Sequence, residues 1–407
     1  MKLVERPVRS IVRAIADAAE RWVDADFPPR VRTLEAVCKR TGYSVPAVEY
    51  AFDRLFSSLT RDAIETTIVT ELGSLDSLDA FVGTRGGARA RALPIGGVCI
   101  LSSRTTVGVA IVPAVFALCA KCDVLVKDRD DALVAAYFST LVEELEEMRE
   151  SAVARPWPGE RDAHELRRFD AVVAFGDDAT LERIRATLHP TARWIGFGSK
   201  ASCGYVGRTA LAGAEAAQRI ADGAARDLVL YDTEGCLSLH VLFVERGGAV
   251  PPEDFAEKLA AAIERAAIEL PIGADDAGRR AAVSQARDLA AFRAASDRSG
   301  TAYSDREASY LAVVDPPGDE PPLFLPRALG VRPVDSPSEA TAYLTRHRIP
   351  IEAIAIAGLR PDIADMAVRT GAARIAAFGS LQSPPPGGYH GGRPRIAEFV
   401  RWVTDET

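Results

Sequence analysis

From Pro94 onward, short runs of β-branched and apolar residues alternate with longer stretches of helical period. A chain written this way has few solutions, because strands of four to six residues between helices build βαβ units around a buried, largely parallel sheet. The pattern predicts strands over 97–102, 124–127, 171–175 and 192–197. Helices are expected between them over 107–121, 132–149 and 180–188. Upstream, residues 8–23, 29–41, 44–57 and 61–72 read as helices, with Ser44 and Thr60 as N-caps. A bend rich in Gly and Arg, 83–89, separates the two regions.

A second α/β region opens near Tyr231. It predicts a strand over 239–244, a helix over 253–270, and strands within 300–333 broken by a Pro-rich loop at 315–322. A helix at 336–346, a strand at 353–357, a helix at 361–369 and a strand at 374–378 follow, with a short terminal helix at 395–403. The Ala-rich stretch 214–225 is helix-forming, since Ala has the highest helix propensity. With 407 residues, the chain exceeds the roughly 250 at which one core stops growing. The expected division is 1–230, 231–375 and a tail 376–407 that returns to the first domain.

The densest local signal is Tyr231-Asp232-Thr233-Glu234-Gly235-Cys236-Leu237-Ser238-Leu239-His240. Gly235 lets the backbone approach a substrate with no Cβ in the way. The strand that follows places the Cys236 thiol where a loop meets rigid structure. A thiolate suits a thioester, because the acyl-enzyme keeps a carbonyl electrophilic enough to take a hydride. The other cysteines, 38, 99, 119, 122 and 203, read as small buried hydrophobes, Cys119-x-x-Cys122 included. Gly176, between the strand 171–175 and a helix, offers backbone N–H groups to a cofactor diphosphate. Lys127 ends a strand where a cation meets a ribose or phosphate. Gly198, in Phe197-Gly198-Ser199-Lys200, brings backbone donors near the same edge. His240 is too far along an extended chain for a direct pair with Cys236 unless the loop folds back. His390 lies in a Gly-rich tail able to close over a substrate mouth. Both are secondary site candidates.

These pieces, in this order, resemble the aldehyde dehydrogenase superfamily, and within it the acyl-CoA reductase family that includes the fatty-acid reductase of bacterial bioluminescence. The matching stretches are Arg91-Ala92-Leu93-Pro94, Val124-Leu125-Val126-Lys127, 169–176, Gly235-Cys236-Leu237-Ser238 and the tail from Gln382 to Trp402. The resemblance implies a Rossmann-like cofactor domain joined to an α/β catalytic domain. It further implies that Cys236 attacks an acyl-CoA, CoA leaves, and NADPH reduces the acyl-enzyme to a fatty aldehyde. Lys127 then stands where the family has its ribose-contacting Lys, and Gly176 where it has the diphosphate turn. Two departures stand out. Hydrolytic relatives carry a Glu just before a Gly-Gly-Lys turn, whereas 195–200 holds no carboxylate. The family Asn that helps bind the oxyanion is replaced by Ser102-Ser103-Arg104-Thr105. Ser103, Arg104 or Thr105 is the expected substitute, with the Cys236 backbone N–H as second donor.

The net charge of −8 argues against nucleic acid as the main partner. The longest apolar segment, 107–120, is broken by Pro113 and falls short of the ~18 residues of a membrane span. Scattered thiols and the absence of an apolar signal core point to the cytoplasm. No metal is expected, since no ligand spacing is present. The expected partner is an acyl-CoA or an acyl group handed over by an acyl-activating protein, and a homo-oligomer is compatible with the sequence. Competing readings are a reductase of acyl-carrier-protein thioesters, and an acyl-Cys transferase or acyl-binding subunit without redox chemistry.

Overall fold

The computed structural model describes residues 2–407 apart from 85, 104, 129–131, 275, 298–299, 315–319 and 359–360. It divides into two compact units, Met1–Ser199 with Pro385–Thr407, and Lys200–Pro384. The sequence places the divisions near 230 and 375. The difference at the first arises because residues 200–230 supply a central strand and a packed helix to the second unit.

The first unit opens with helices α1 (Val8–Val23), α2 (Pro28–Thr41), α3 (Val45–Ser58) and α4 (Arg61–Leu72). In α1, Ile11, Ile15, Ala18 and Trp22 recur at helical spacing and are buried. Trp22 is 0% exposed, touches the rings of Phe27, Phe52, Phe56 and Tyr137, and donates Nε1–H to Thr140 Oγ1 at 3.0 Å. Its indole is thereby both packed and satisfied. Thr60 caps α4 through Ala63 N–H, and Gly73, at φ +81°, ends it.

Next come β1 (Val82–Gly83), β2 (Arg89–Pro94), β3 (Gly97–Leu101), α5 (Ile111–Cys119), β4 (Asp123–Lys127), α6 (Leu133–Glu144), β5 (Ala152–Arg155), α7 (Asp162–Leu166), β6 (Ala171–Phe175), α8 (Asp178–Arg185) and β7 (Arg193–Phe197). β5-β4-β3-β6-β7 form one parallel sheet. Numbered within the sheet, that order is 3-2-1-4-5, the doubly wound arrangement, whose ligands lie at the carboxyl ends of the strands.

The second unit runs β8 (Ala201–Val206), α9 (Ala214–Val229), β9 (Leu239–Glu245), α10 (Pro252–Glu269), α11 (Ala277–Asp297), β10 (Thr301–Tyr303), β11 (Leu311–Val314), β12 (Ala328–Val334), α12 (Pro337–Arg346), β13 (Ile351–Ala357), α13 (Pro361–Thr370) and β14 (Arg374–Ala376). Its seven-stranded sheet has the order β10-β11-β12-β9-β8-β13-β14, parallel except for β10. Cys203, Tyr205, Val241, Phe243 and Ile354 pack against Tyr343, Leu344, Ile363 and Met366 of α12 and α13. The pairing slips by one residue at two places flanking β8. Ser202 and Cys203 face Leu239 and Val241, skipping His240, and Ala201 and Ser202 face Ile351 and Ala353, skipping Glu352. Both slips sit at the amino ends of the strands.

The tail then rejoins the first unit. Glu71 accepts the backbone N–H groups of Arg395, Ile396 and Ala397 at 2.7, 2.8 and 3.0 Å. Residues 395–403, expected as a helix, instead form a 3₁₀ turn and the strand β15 (Val400–Asp405), antiparallel to β2. A partner some 300 residues away decides that conformation, so local propensity misses it. Other elements without a sequence forecast include β5, α7, α11 and β8, whose short Ala-Ser-Cys-Gly run lacks β-branched residues. Among the described residues no helix is long and apolar enough to cross a membrane.

α9 lies so close to the 378–379 turn that a Cβ on Gly223 would stand 2.7 Å from the Phe378 carbonyl carbon and 2.8 Å from its oxygen. Backbone cannot yield as a side chain can. Gly223→Ala should therefore destabilise the protein by about 1–3 kcal/mol, read as a lower urea midpoint with an unchanged slope.

Candidate active site

The residues singled out in the sequence fall into two groups, one in each unit. In the second unit everything converges on the amino ends of β8, β9 and β13. α9 is followed by three non-glycine residues with left-handed backbone, Tyr231, Asp232 and Thr233, at φ 59°, 47° and 64°. Such a turn costs roughly 1–2 kcal/mol per residue and needs fixing from outside. Arg327, 1% exposed, supplies it. Its Nε donates to Asp232 Oδ1 at 2.7 Å, its Nη2 to the Leu270 carbonyl at 2.7 Å, and its backbone N–H to Thr233 Oγ1 at 2.9 Å. Burial raises the Asp232 carboxyl above its ordinary range, and the adjacent guanidinium opposes that rise.

The chain then makes a tight turn, with Ser238 N–H on the Gly235 carbonyl at 2.9 Å and Cys236 and Leu237 between them. Three contacts hold it. Ser238 Oγ accepts Gly235 N–H at 3.2 Å and Gln382 Nε2–H at 2.7 Å, and Ser202 Oγ donates to the Cys236 carbonyl at 2.8 Å. Asp227 in turn fixes the segment carrying Gln382, accepting Gly379 and Leu381 N–H at 2.7 and 3.0 Å. Burial of the Asp227 carboxyl pushes it up to about 7.

Cys236 is half-buried by surface area, yet protein crowds its sulfur closely enough to displace most water. That desolvation pushes the thiol up to about 12. The nearby Glu352 carboxylate adds to the rise, while Lys200 and the backbone N–H groups of Cys236 and Leu237 oppose it. Lys200 Nζ and Glu352 Oε2 form an ion pair at 2.8 Å. The segment 195–200 lacks a carboxylate, as its sequence says, but β13 brings one to the same edge. Its signal was a single charge in an otherwise apolar strand, Ile351-Glu352-Ala353-Ile354-Ala355-Ile356. His240 is buried against Phe324, with Nδ1 2.7 Å from the Ser238 carbonyl. A carbonyl only accepts, so Nδ1 carries the proton, and burial lowers the imidazole's pKa.

In the first unit the singled-out residues lie along the carboxyl ends of the sheet. Ser103 and Thr105 follow β3, and the Thr105 carbonyl accepts Tyr43 O–H at 2.6 Å. Arg104 lies outside the described residues. Lys127 ends β4, with Nζ 2.7 Å from Asp162 Oδ1, which also accepts Trp157 Nε1–H at 2.9 Å. Gly176 follows β6, and a Cβ built there would meet Thr180 and Leu181 no closer than 3.7 Å, an ordinary packing contact. The first turn of α8 is less hospitable to phosphate. Asp177 caps it through Thr180 N–H at 2.8 Å, and Asp178 accepts Ser199 N–H at 3.0 Å. Gly198 is explained by that second bond, since a Cβ there would stand 2.3 Å from Asp178 Oδ1. His390 sits in a tight hairpin, paired in both directions with Arg393 across Gly391 and Gly392 at φ 57° and 76°. Its ring stacks on Phe197 at 4.2 Å and reaches Phe175 at 5.7 Å. Lys127 and the Phe197–His390 stack are what this edge offers to a ribose and to flat rings, while the two aspartates make the α8 N-terminus a poor seat for a diphosphate. Among the described residues no three His, Cys, Asp or Glu are grouped to hold a metal ion.

A family model for acyl-CoA reductase (LuxC) matches residues 3–402. The chain belongs to the LuxC acyl-CoA reductase family. No curated protein matches it in a sequence search. Among solved structures it is similar to an NAD-dependent benzaldehyde dehydrogenase from Corynebacterium glutamicum, with TM-score 0.70 and 14% identity over 100% of this chain and 87% of that one. An oxidoreductase from Marinobacter aquaeolei gives TM-score 0.71 at 13% identity over 98% and 85%. Glyceraldehyde-3-phosphate dehydrogenase GapN from Methanocaldococcus jannaschii, complexed with NADP, gives 0.69 at 11% over 99% and 90%. The fold is that of the aldehyde dehydrogenases. This LuxC-family protein is an oxidoreductase acting on an acyl or aldehyde group, and both family and fold support aldehyde-forming acyl reduction.

The turn around Cys236 gives a direct check. Ser238→Ala in the LuxC-family chain removes the acceptor of Gly235 N–H and Gln382 Nε2–H, which should lower stability by about 1–3 kcal/mol, read as a lower denaturant midpoint.

Proposed function

We propose that the protein reduces an acyl-CoA, a fatty acyl-CoA above all, to the aldehyde with NADPH, through an acyl-enzyme on Cys236. The observation that carries this reading is the thiol itself, in a turn braced by Ser238, Gln382 and Ser202 immediately before a strand. The Cys236 thiol gives up its proton, the thiolate attacks the thioester carbonyl, the C–S bond to CoA breaks, the CoA thiolate takes that proton, and the acyl group passes to the protein as a new thioester. When bound, the nicotinamide supplies a hydride to that acyl carbon. The resulting hemithioacetal oxyanion collapses, releasing aldehyde and the Cys236 thiolate, which takes a proton from solvent. The net change is thioester, NADPH and one proton to aldehyde, CoA and NADP.

The roles divide between the units. Cys236 and its supports hold the acyl group. The backbone N–H groups beside the sulfur serve the oxyanion, with Ser103 and Thr105 as further candidates. Lys127 would hold the ribose, and the Phe197–His390 stack the flat rings. Scarcity of water around the thiol favours reduction, since an acyl-enzyme must outlast hydrolysis until hydride arrives. The acyl group comes from CoA or from an acyl-activating partner protein, and the protein works in the cytoplasm.

NADPH absorbance should fall when a long-chain acyl-CoA is added to the protein, and NADH should support the reaction less well. Cys236→Ala should abolish both the absorbance change and the mass gain of the acylated protein. Acylation without oxidation of either nicotinamide would instead make the chain an acyl-Cys transferase.

A further inference from the structure

A thiol must lose its proton before it attacks a thioester, and a basic departing thiolate must later gain one. We propose that Glu352 takes the first proton and supplies the second, with Lys200 changing partner from the carboxylate to the Cys236 sulfur in between. The proposal rests on the acyl-transfer reading and deepens it.

Four observations carry it. Glu352 is 6% exposed and interrupts an otherwise apolar strand. Its ion pair with the partly exposed Lys200 adds little to stability, because desolvating the carboxylate offsets the attraction. The strand register skips Glu352, and bulges of this sort re-aim a side chain and are enriched beside active sites. β8, the strand opposite the slip, holds the reactive turn through Ser202 Oγ on the Cys236 carbonyl and is preceded directly by Lys200. Glu352 and Lys200 are also the two side-chain charges that bear most on the sulfur, with opposite sign. The surroundings hold other charges, but these are engaged. Arg374, facing Glu352, donates to the Ser380 and Leu381 carbonyls and also feels Asp227. In the Cys236 loop, Glu234 pairs with Arg279, Asp232 with Arg327, and His240 Nδ1 with the Ser238 carbonyl.

The protons balance. The Cys236 S–H bond breaks as a Glu352 O–H bond forms, directly or through one water, leaving neutral Glu352 and a Lys200–thiolate pair. The thiolate attacks the acyl carbon and the bond to the departing sulfur breaks. That sulfur takes the Glu352 proton, and the carboxylate recovers Lys200. A protonated carboxyl is needed only when the departing thiolate is strongly basic.

Two experiments on the full chain test this. Iodoacetamide alkylation of the Cys236 peptide, followed by mass spectrometry across pH, needs no substrate. Glu352→Gln should move the profile to lower pH, since Lys200 is then left to the thiolate, and Lys200→Met should move it up. In steady state, Glu352→Gln should cost about 10²-fold or more with an acyl-CoA. It should cost distinctly less with an aryl thioester of the same acyl chain, whose thiolate leaves without a proton and which needs Glu352 only as the base. Glu352→Asp should recover part of the loss. An equal loss with both thioesters, or unmoved alkylation profiles, overturns the proposal. If the wild type reduces neither thioester, the function proposed above fails, while the alkylation profiles still decide the role of Glu352 at the sulfur. Should Glu352→Gln misfold by circular dichroism, Lys200→Met and Glu352→Asp carry the same comparison.

Discussion

The reactive turn depends on one buried contact, the guanidinium of Arg327 on the carboxylate of Asp232. Three successive residues in the left-handed region are unfavourable for any L-amino acid with a side chain. The backbone accepts them here because Arg327 binds Asp232, Leu270 and Thr233 together, from a strand the chain reaches only about 95 residues later. The left-handed segment turns the chain sharply after α9, and the tight turn from Gly235 to Ser238 follows it. A lysine at 327 could not repeat this, because it lacks the planar fork that serves two acceptors at once.

The two units use opposite edges of their sheets. In the first, the candidate ligand-binding residues follow the strands, at the carboxyl ends where a doubly wound sheet normally receives a nucleotide. In the second, Lys200, Cys236, Arg327, Glu352 and Arg374 all stand before or at the beginning of strands. Amino ends of parallel strands hold no special attraction for ligands. The acyl chemistry proposed for this edge would draw on side chains and on the N–H groups of one tight turn.

Much of this was legible in the residues. The alternation after Pro94 gave the α/β class, and Gly-Cys before an apolar strand singled out Cys236. Lys127, Gly176 and Gly198 declared themselves as strand ends, because strand ends are local. What stayed hidden depends on pairings between distant segments. Glu352 reads as a stray charge until β13 is laid against β8, some 150 residues earlier. Asp232 gives no hint of Arg327, and Gln382 none of Ser238. The tail around His390 reads as permissive because of its glycines, yet two of them close a hairpin that fixes the ring against Phe197. Val400 to Asp405 alternate only loosely, and β2 decides that they form a strand.

The one-residue slips on either side of β8 have a consequence for how this edge can change. A regular parallel strand is a single phase: moving any residue to the other face moves all of them. A slip divides the strand into two stretches whose phases are independent. At the slip itself, His240 and Glu352 can be polar and differently oriented without reversing the faces beyond them. Beyond it, Val241, Phe243, Ile354 and Ile356 keep their alternation undisturbed. The sheet thus separates a stretch free to vary from one that is not, and variation in chemistry at this edge need leave no trace in the hydrophobic interior a few ångströms away.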